Sequence, residues 1–291
     1  MPVRPMTTSA MDAVRSKFSH AGAASKWHDM YAAETERLDE DNFRLRRDAA
    51  VAMVQRLAPA SARVIDLGCG AGPVVSALRQ RGVDVIGIDY ADDMLDNARI
   101  RLRAMGLDDG RLYQGDCRKT AYPDASFDVV VCLGVISYIE DYTDVLREIH
   151  RLLRPGGTMI LSYRNVFNPI VSDPVVLMKH LARKFLRRRD LAATEKFEIG
   201  RFLDFRTVSA SIERTGFEFV EFAGIGFGPF AIAGRRLLSE RQSIRLSRWL
   251  SRTCGWLQLQ QPLRWLTDVS LWAYRKPTAV WPSDTFALIY R

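Results

Sequence analysis

A glycine-rich segment between a predicted strand and a predicted helix is the part of the sequence best suited to hold a ligand. Residues 64–72 read VIDLGCGAG, which places Asp66 two residues before Gly68 and follows it with Gly70 and Gly72. Glycine lets the backbone turn tightly and lets a ligand approach main-chain N–H groups with no Cβ in the way. The sequence therefore predicts a binding loop after the first strand.

Two further acids follow later strands in the same way. Asp89 ends the second predicted strand, where a carboxylate can accept hydrogen bonds from both hydroxyls of a ribose. Asp116 follows the third strand in the sequence QGDC. Each acid alone has a simpler interpretation, since Asp66 could cap its turn, Asp89 could sit in an ordinary loop and Asp116 in a surface turn. Their joint occurrence in this order favours one shared nucleoside site.

Other ligand classes fit the sequence poorly. A nicotinamide dinucleotide site requires G-x-G-x-x-G, but counting from Gly68 or Gly70 places the third position on Pro73 or Val75. A P-loop is excluded because no Gly-Lys-Ser/Thr follows. The four cysteines form no C-x-x-C motif and no histidine cluster accompanies them, so we expect neither a metal site nor a disulfide framework. A reducing, cytoplasmic compartment fits this cysteine usage.

The elements that position these residues alternate between strand and helix. Predicted strands cover 63–67, 83–88, 111–114, 127–133 and 158–163, and predicted helices cover 43–57, 74–81, 92–105 and 143–153. After residue 164, the sequence predicts helices over 174–189 and 207–215 and strands over 217–222 and 285–290. This alternation predicts an α/β fold with a mostly parallel, Rossmann-like sheet and helices on both faces.

With these motifs in this order, the sequence resembles the class I S-adenosylmethionine-dependent methyltransferases. The resemblance rests on Asp66–Gly72, Asp89, Gly115-Asp116 and the LLRPGG turn at 152–157, and it is close over residues 60–163. It looks most like the small-molecule branch that includes quinone-biosynthetic enzymes. The resemblance implies a seven-stranded sheet that ends in an antiparallel hairpin, which would be formed by the strands at 217–222 and 285–290.

The resemblance also implies S-adenosylmethionine as the cofactor, S-adenosylhomocysteine as its product, and a role for each matching residue. The loop residues would line the methionine part, Asp89 would hold the ribose, Tyr90 and Met94 would lie against the adenine, and Asp116 would accept from its amino group. The N-terminal Tyr31 and Arg47 would close over the cofactor carboxylate. The implied cofactor-binding set is Asp66, Gly68, Cys69, Gly70, Gly72, Asp89, Tyr90, Met94, Asp116, Cys117, Leu133, Tyr31 and Arg47.

The resemblance and the predicted elements together indicate a domain organisation. We expect an N-terminal helical lid at 1–60 and a core formed by 61–228 and 283–291, with a helical insertion at about 165–200. Residues 229–282 would form a basic, Trp-rich helical cap between the last two strands, because about 60 residues are too long for a plain loop.

The reaction expected is methyl transfer by in-line displacement, driven by proximity. Enzymes that methylate nucleobase or amide nitrogens often carry an Asn/Asp-Pro-Pro-Tyr motif after the fourth strand, whereas this chain has CLGVISY at 132–138. We therefore expect a hydroxyl oxygen as the methyl acceptor first, then an amine nitrogen, then a carbon atom. Candidate general bases are His28, Tyr138, Tyr163 and His180, and Arg164 is a further acceptor-site candidate.

The net charge of +8 is concentrated in the last part of the chain. Residues 163–291 carry 21 Lys and Arg against 11 Asp and Glu. If residues 235–252 are helical, Arg241, Arg245, Arg248 and Arg252 form one stripe, with tryptophans around and beyond it. Arginine with tryptophan suits an anionic membrane surface; the alternative is a lid with core tryptophans and a solvated stripe.

These observations predict an enzyme that methylates a small apolar, lipid-linked or secondary-metabolite hydroxyl, in the cytoplasm or peripherally at the inner face of the membrane. An RNA or amine N-methyltransferase is one alternative, although no nucleic-acid-binding motif is evident. A non-catalytic cofactor-binding or membrane-docking module with the same fold is an alternative of another class.

Overall fold

The computed structural model describes residues 36–166, 173–175, 178, 202–228, 230–233, 235–256 and 266–278. These ranges contain six helices: α1 (Leu38–Leu57), α2 (Pro73–Arg79), α3 (Asp92–Ala104), α4 (Thr143–Leu152), α5 (Phe205–Arg214) and α6 (Glu240–Trp256). The strands of the main sheet are β1 (Arg63–Leu67), β2 (Asp84–Asp89), β3 (Leu112–Gln114), β4 (Phe127–Leu133), β5 (Leu153–Arg164), β6 (Glu218–Phe227) and β7 (Thr267–Arg275). A short hairpin of Ala231–Ile232 and Arg235–Arg236 precedes α6.

The main sheet has seven strands in the order β3-β2-β1-β4-β5-β7-β6. The first five pair in parallel, and β7 runs antiparallel between β5 and β6. The order reverses between β1 and β4, and such a switch point opens a crevice at the carboxyl ends of the strands. The predicted Rossmann-like fold class is confirmed, including a helical insertion between the last two strands.

The core lies on both faces of the sheet because successive residues of each strand point to opposite sides. In β4, Val129 and Val131 pack in the layer that contains apolar residues of α1, α2 and α3. Val130 and Cys132 pack in the layer on the other face, with residues of α4 and α5. A strand buried on both faces reads as a continuous apolar run, which is why FDVVVCL was recognisable.

The closing strand is not the one that the sequence analysis selected. The strand between β5 and β6 is Thr267–Arg275, which was assigned to the cap, whereas the predicted strand at 285–290 lies outside the described residues. Within β7, Trp272 and Tyr274 are buried and belong to the sheet core. The cap assignment for 229–282 therefore included a core strand. The sequence of β7, TDVSLWAYR, carries Asp, Ser and Arg among its apolar residues, which hid its two-sided burial.

The insertion between β6 and β7 contains α6, which packs against β6 and α1. Among the described residues, no helix is both long and apolar enough to cross a bilayer. Most of the insertion predicted at 165–200 lies outside the described residues.

Candidate functional site

A cavity lies at the carboxyl ends of β1, β2 and β4, where the strand order reverses. One side of it is formed by the glycine-rich turn and the end of β2, and the other by α1 and the segment after β4. Its lining residues are Phe43, Arg46, Asp66, Gly68, Cys69, Gly70, Ala71, Pro73, Val74, Asp89, Tyr90, Ala91, Met94, Gly115, Cys117, Leu133, Gly134, Val135, Ser137, Tyr138, Ile139 and Arg164.

The glycines of the turn have different structural roles. Gly70 has φ +53°, and a Cβ added there would meet no atom within 4 Å, so its backbone is open toward the cavity. Gly72 has φ +71°, but an added Cβ would lie 2.9 Å from the Cβ of Ala98 in α3. Gly72 does not line the cavity; it allows the turn to pack closely on α3. The turn is also tied to β2, because the Gly68 and Cys69 N–H groups donate to the Ile88 carbonyl at 2.7 and 2.9 Å.

Asp89 joins the end of β2 to this turn. Its carboxylate accepts from the Gly70 N–H at 2.8 Å and from the Ala91 N–H at 3.0 Å. Burial raises the pKa of Asp89, and the hydrogen bonds from Ala91 and Gly70 oppose that rise. Each carboxylate oxygen can accept more than one hydrogen bond, so Asp89 retains acceptor capacity toward the cavity.

Asp66 lies at the floor of the cavity. Its pKa is raised to about 7, first by burial and then by the charge of Asp89, while the guanidinium of Arg46 acts in the opposite direction. Arg46 is itself buried, lies 4.6 Å over the ring of Phe43 and approaches the backbone of Gly134. At the floor of the cavity, Arg46 therefore faces Asp66, whose ionisation is opposed by burial and by the charge of Asp89.

The raised pKa of Asp66 predicts a specific pH dependence of stability. Because the folded state holds this proton up to about pH 7 and the unfolded chain loses it near pH 4, the folded state binds more protons between these values. The contribution of Asp66 is therefore fully present below about pH 4 and is lost as the pH rises through 7. We expect the melting temperature of the ligand-free protein to fall from pH 5 to pH 8 more steeply than that of the Asp66→Asn variant. Equal slopes for the two proteins would contradict the assignment.

The structure brings Arg46, rather than the predicted Arg47, to the cavity. Arg47 pairs with Asp48, with its Nη2 2.7 Å from the carboxylate, and does not line the cavity. One residue along a helix rotates the side chain by about 100°, so neighbouring arginines on α1 face different surroundings. Phe43 and Arg46, at i and i+3, share the face of α1 that covers the cavity.

Asp116 is placed differently from its predicted role. Its carboxylate accepts from the Nε and Nη2 of Arg118, at 3.0 and 2.7 Å, and from the Arg118 backbone N–H at 2.9 Å. The flanking Gly115 and Cys117 line the cavity, but Asp116 lines a separate surface cleft. The adenine-amino role predicted for Asp116 is therefore not supported by this geometry. The reason is local: an arginine two residues away competes for the same carboxylate.

Of the four candidate bases, the structure brings one to the cavity. Tyr138 follows the short helical turn Val135–Ser137 and lines the cavity. Tyr163 is 1% exposed and packs in the core with Phe205 and Trp272, so it does not reach the site. Burial raises the pKa of Tyr163 well above its usual value. The remaining candidates His28 and His180, together with Tyr31, lie outside the described residues.

Arg164, the residue after Tyr163, does line the cavity. Its Nη2 donates to Asp268 at 3.0 Å, and its guanidinium lies 4.6 Å from the ring centroid of Phe202. The second oxygen of Asp268 accepts from the Nδ2 of Asn42 at 3.1 Å. This network links the end of β5, the start of β7 and α1 at the edge of the cavity. Sequence reasoning missed Asn42 and Asp268 because their partners are about 100 or more residues away along the chain.

Several apolar lining residues were also missed: Phe43, Val74, Val135 and Ile139. The remaining predicted residues that line the cavity are Asp66, Gly68, Cys69, Gly70, Asp89, Tyr90, Met94, Cys117 and Leu133. Phe43 and Arg46 are three residues apart on a predicted helix, and this spacing was the sequence signal that they share one face of α1. Nothing in the sequence singles out Val135 or Ile139 as lining residues.

Comparisons with known proteins agree with this architecture. Residues 65–161 match the family described as Methyltransferase domain. A ubiquinone biosynthesis O-methyltransferase of Pseudomonas aeruginosa (strain UCBPP-PA14) is 33% identical over 150 residues, which cover 48% of this chain and 64% of that protein. A demethylmenaquinone methyltransferase of Deinococcus radiodurans is 38% identical over 112 residues, covering 38% and 46%. This chain thus spans less than two thirds of the length of either relative.

Among solved structures, the magnesium protoporphyrin IX methyltransferase ChlM of Synechocystis PCC 6803, with bound SAH, has a TM-score of 0.60 at 14% identity. The match covers 91% of this chain and 99% of that one. The [4+2]-cyclase SpnF also has a TM-score of 0.60, at 17% identity over 94% of this chain and 99% of that one. At these identities the likeness establishes the fold alone.

Proposed function

We propose that this chain, a member of the class I S-adenosylmethionine-dependent methyltransferases, transfers the cofactor's methyl group to a hydroxyl oxygen of a small apolar or lipid-linked molecule. The observation that carries the proposal is the cavity at the strand switch point. It combines a ribose-accepting carboxylate beside an open glycine turn with apolar side chains after β4. A cyclase shares the fold, so the fold by itself does not select methyl transfer.

The residues present fit the cofactor. Asp89 is positioned to accept from ribose hydroxyls, and Tyr90 and Met94 line the cavity where the adenine would lie. The backbone of Gly70, with no side chain in the way, borders the space for the methionine part. Arg46 replaces Arg47 as the residue that would hold the cofactor carboxylate, and the backbone near Leu133 would face its amino group. When bound, the cofactor supplies a methyl group already activated by the positive sulfonium.

The protein's part in the reaction is then alignment and exclusion of water. Phe43, Val135 and Ile139 provide apolar walls that keep water from the transfer path. Because the pKa of Asp66 lies at about 7, its protonation state would set the local charge at the floor of the cavity. In-line displacement needs the acceptor oxygen on the far side of the methyl–sulfur bond, so the acceptor must enter between α1 and the segment after β4.

A hydroxyl acceptor is supported by the residues at the acceptor end. The segment after β4 carries Leu133-Gly134-Val135, which offers no side-chain amide or carboxylate to hold an amino group. Tyr138 lines the same region, and its phenolic oxygen could accept the hydroxyl proton as its own O–H proton passes to water. Arg164 borders this end and could bind a polar substituent of the acceptor. The relative from Pseudomonas aeruginosa is an O-methyltransferase of ubiquinone biosynthesis, which agrees with an apolar acceptor.

The test uses methyl-labelled S-adenosylmethionine incubated with the protein and an extract of its source cells. The products are separated into organic, aqueous and RNA fractions, and Asp89→Ala serves as the inactive control. Label in the organic fraction that is absent with the control supports the proposal. Label confined to RNA or to aqueous amines overturns the proposed acceptor class. Cofactor binding with no label in any fraction favours a non-catalytic module.

A further inference from the structure

Helix α6 has one face that packs on the protein and one that does not. Ser243, Ile244 and Ser247 are buried, and the Ser247 hydroxyl accepts from the Phe227 backbone N–H at 2.9 Å. On the opposite face, Arg245, Trp249 and Arg252 are spaced at i, i+4 and i+7 and are exposed. We call these three residues the outer face of α6. Trp249 is 60% exposed, whereas tryptophan side chains are usually mostly buried in folded proteins.

The arginines of α6 divide into two groups by their partners. Arg248 donates through Nε to Asp41 of α1 at 3.0 Å, and Arg241 pairs with Glu36 at 2.7 Å. Asp41 is buried, so this contact belongs to the packing of α6 on α1. In the described part of the chain, by contrast, no carboxylate lies within ion-pair distance of Arg245 or Arg252. Among the described residues, Arg248 and Arg241 are therefore paired with carboxylates, while Arg245 and Arg252 flank Trp249 without such a partner.

The chain just before α6 adds exposed apolar and cationic side chains. Ile232 and Leu237 are 45% and 59% exposed, and Arg235 between them is exposed with no ion pair among the described residues. Arg236, next to it, pairs with Glu240. The described residues of 232–252 therefore combine three exposed large apolar side chains with three arginines that have no described carboxylate partner.

We propose that the outer face of α6, together with Ile232, Arg235 and Leu237, docks on the surface of an anionic lipid bilayer. The charge complementarity is specific, since Arg245 and Arg252 flank the exposed Trp249 on one face of α6, and Arg235 adds a third cation in the segment before the helix. Tryptophan and arginine favour the level of the lipid headgroups. There the apolar part of the indole ring contacts lipid while its N–H meets polar groups, and the guanidinium contacts phosphate. Within the described part of this segment, Trp249 is the one exposed aromatic side chain, and one ring offers no stacking platform for successive bases, which disfavours single-stranded nucleic acid as the occupant.

Docking at this face would also place the cavity close to the lipid. The Arg248–Asp41 contact fixes α6 to α1, and α1 contributes Phe43 and Arg46 to the cavity. A protein held by α6 would thus have the helix that covers its cavity beside the bilayer. The docking proposal itself does not depend on methyl transfer, because lipid binding is measured without the reaction.

The test is sedimentation of the full chain with vesicles of phosphatidylcholine alone or mixed with phosphatidylglycerol, at low and at 0.5 M salt. The variants are Trp249→Ser and Arg245→Ala/Arg252→Ala. Their matched controls are Ile100→Ser, an equally exposed apolar residue on α3, and Arg103→Ala/Arg147→Ala, which removes the same charge elsewhere. Circular dichroism melting shows that each variant is folded.

We expect binding to the anionic vesicles that weakens with salt and is weak with neutral ones. Removal of the two arginines should reduce partitioning roughly 25-fold, about fivefold for each. Trp249→Ser should reduce it several-fold, and the control variants should bind like the wild type. Equal binding to neutral vesicles, equal loss in the controls, or binding to poly(U) in preference to anionic vesicles would each overturn the proposal.

Discussion

Asp89→Ala is expected to weaken the binding of S-adenosylmethionine and S-adenosylhomocysteine at least about 100-fold. The carboxylate would accept from two ribose hydroxyls, and each hydrogen bond to a charged group contributes about 1.5–3 kcal/mol. The substitution also removes the bonds from Gly70 and Ala91 that hold the glycine turn against β2. Isothermal titration calorimetry with the product measures the effect without requiring the acceptor.

The chain offers a matched control on the same strand. Asp84 begins β2 and Asp89 ends it, but Asp84 is half exposed at the opposite edge of the sheet, where it pairs with Arg111. We expect Asp84→Ala to bind the product like the wild type, and Asp89→Asn to fall between the wild type and Asp89→Ala. If Asp89→Ala melts like the wild type and still binds within threefold of it, the ribose role of Asp89 is wrong.

Arg46→Ala is expected to weaken product binding about 10- to 100-fold. Arg46 is the cation that approaches Asp66 and Gly134 inside the cavity, and a charge-assisted hydrogen bond to the cofactor carboxylate is worth about 1.5–3 kcal/mol. Removing it also leaves Asp66 without the opposing charge of Arg46. Titration calorimetry at pH 7 again gives the dissociation constant directly.

The neighbouring residue on α1 provides the comparison. Arg47→Ala removes the same side chain one position further along, where it pairs with Asp48 outside the cavity. We expect this variant to bind the product within about twofold of the wild type. A larger loss for Arg47→Ala than for Arg46→Ala would restore the role that the sequence analysis gave to Arg47.

The cofactor end of the site was predictable because its determinants are local in sequence. The glycine turn and the acid at the end of β2 each follow a strand that reads as a buried apolar run, and β1 and β4 begin and end where the sequence predicted. Backbone geometry at such a turn depends on the glycines themselves. The prediction that Asp89 lies beside the turn required only that parallel strands end at the same edge.

Three features of the structure differ from the sequence analysis, and each depends on packing or side-chain geometry that residue spacing does not reveal. The choice of Arg46 over Arg47 depends on the rotation of α1 about its axis, which is determined by how α1 packs on the sheet. The competition of Arg118 for Asp116 is a matter of side-chain geometry that spacing does not reveal. The seventh strand was missed because the sequence analysis chose 285–290 as the last strand and assigned 267–275 to the helical cap. The Asp, Ser and Arg residues of 267–275 concealed a strand whose two faces are both buried.

The position of β7 has a consequence for the order in which the protein can fold during synthesis. Among the described strands, β6 pairs only with β7, which lies between β6 and β5. About 40 residues follow β6 before β7 begins. While the ribosome is still making that stretch, β5 presents an open hydrogen-bonding edge, and β6 has no partner in the sheet. Unpaired edges of this kind invite association with other chains. A translational pause within the α6 region would therefore prolong the interval in which nascent chains are vulnerable to aggregation.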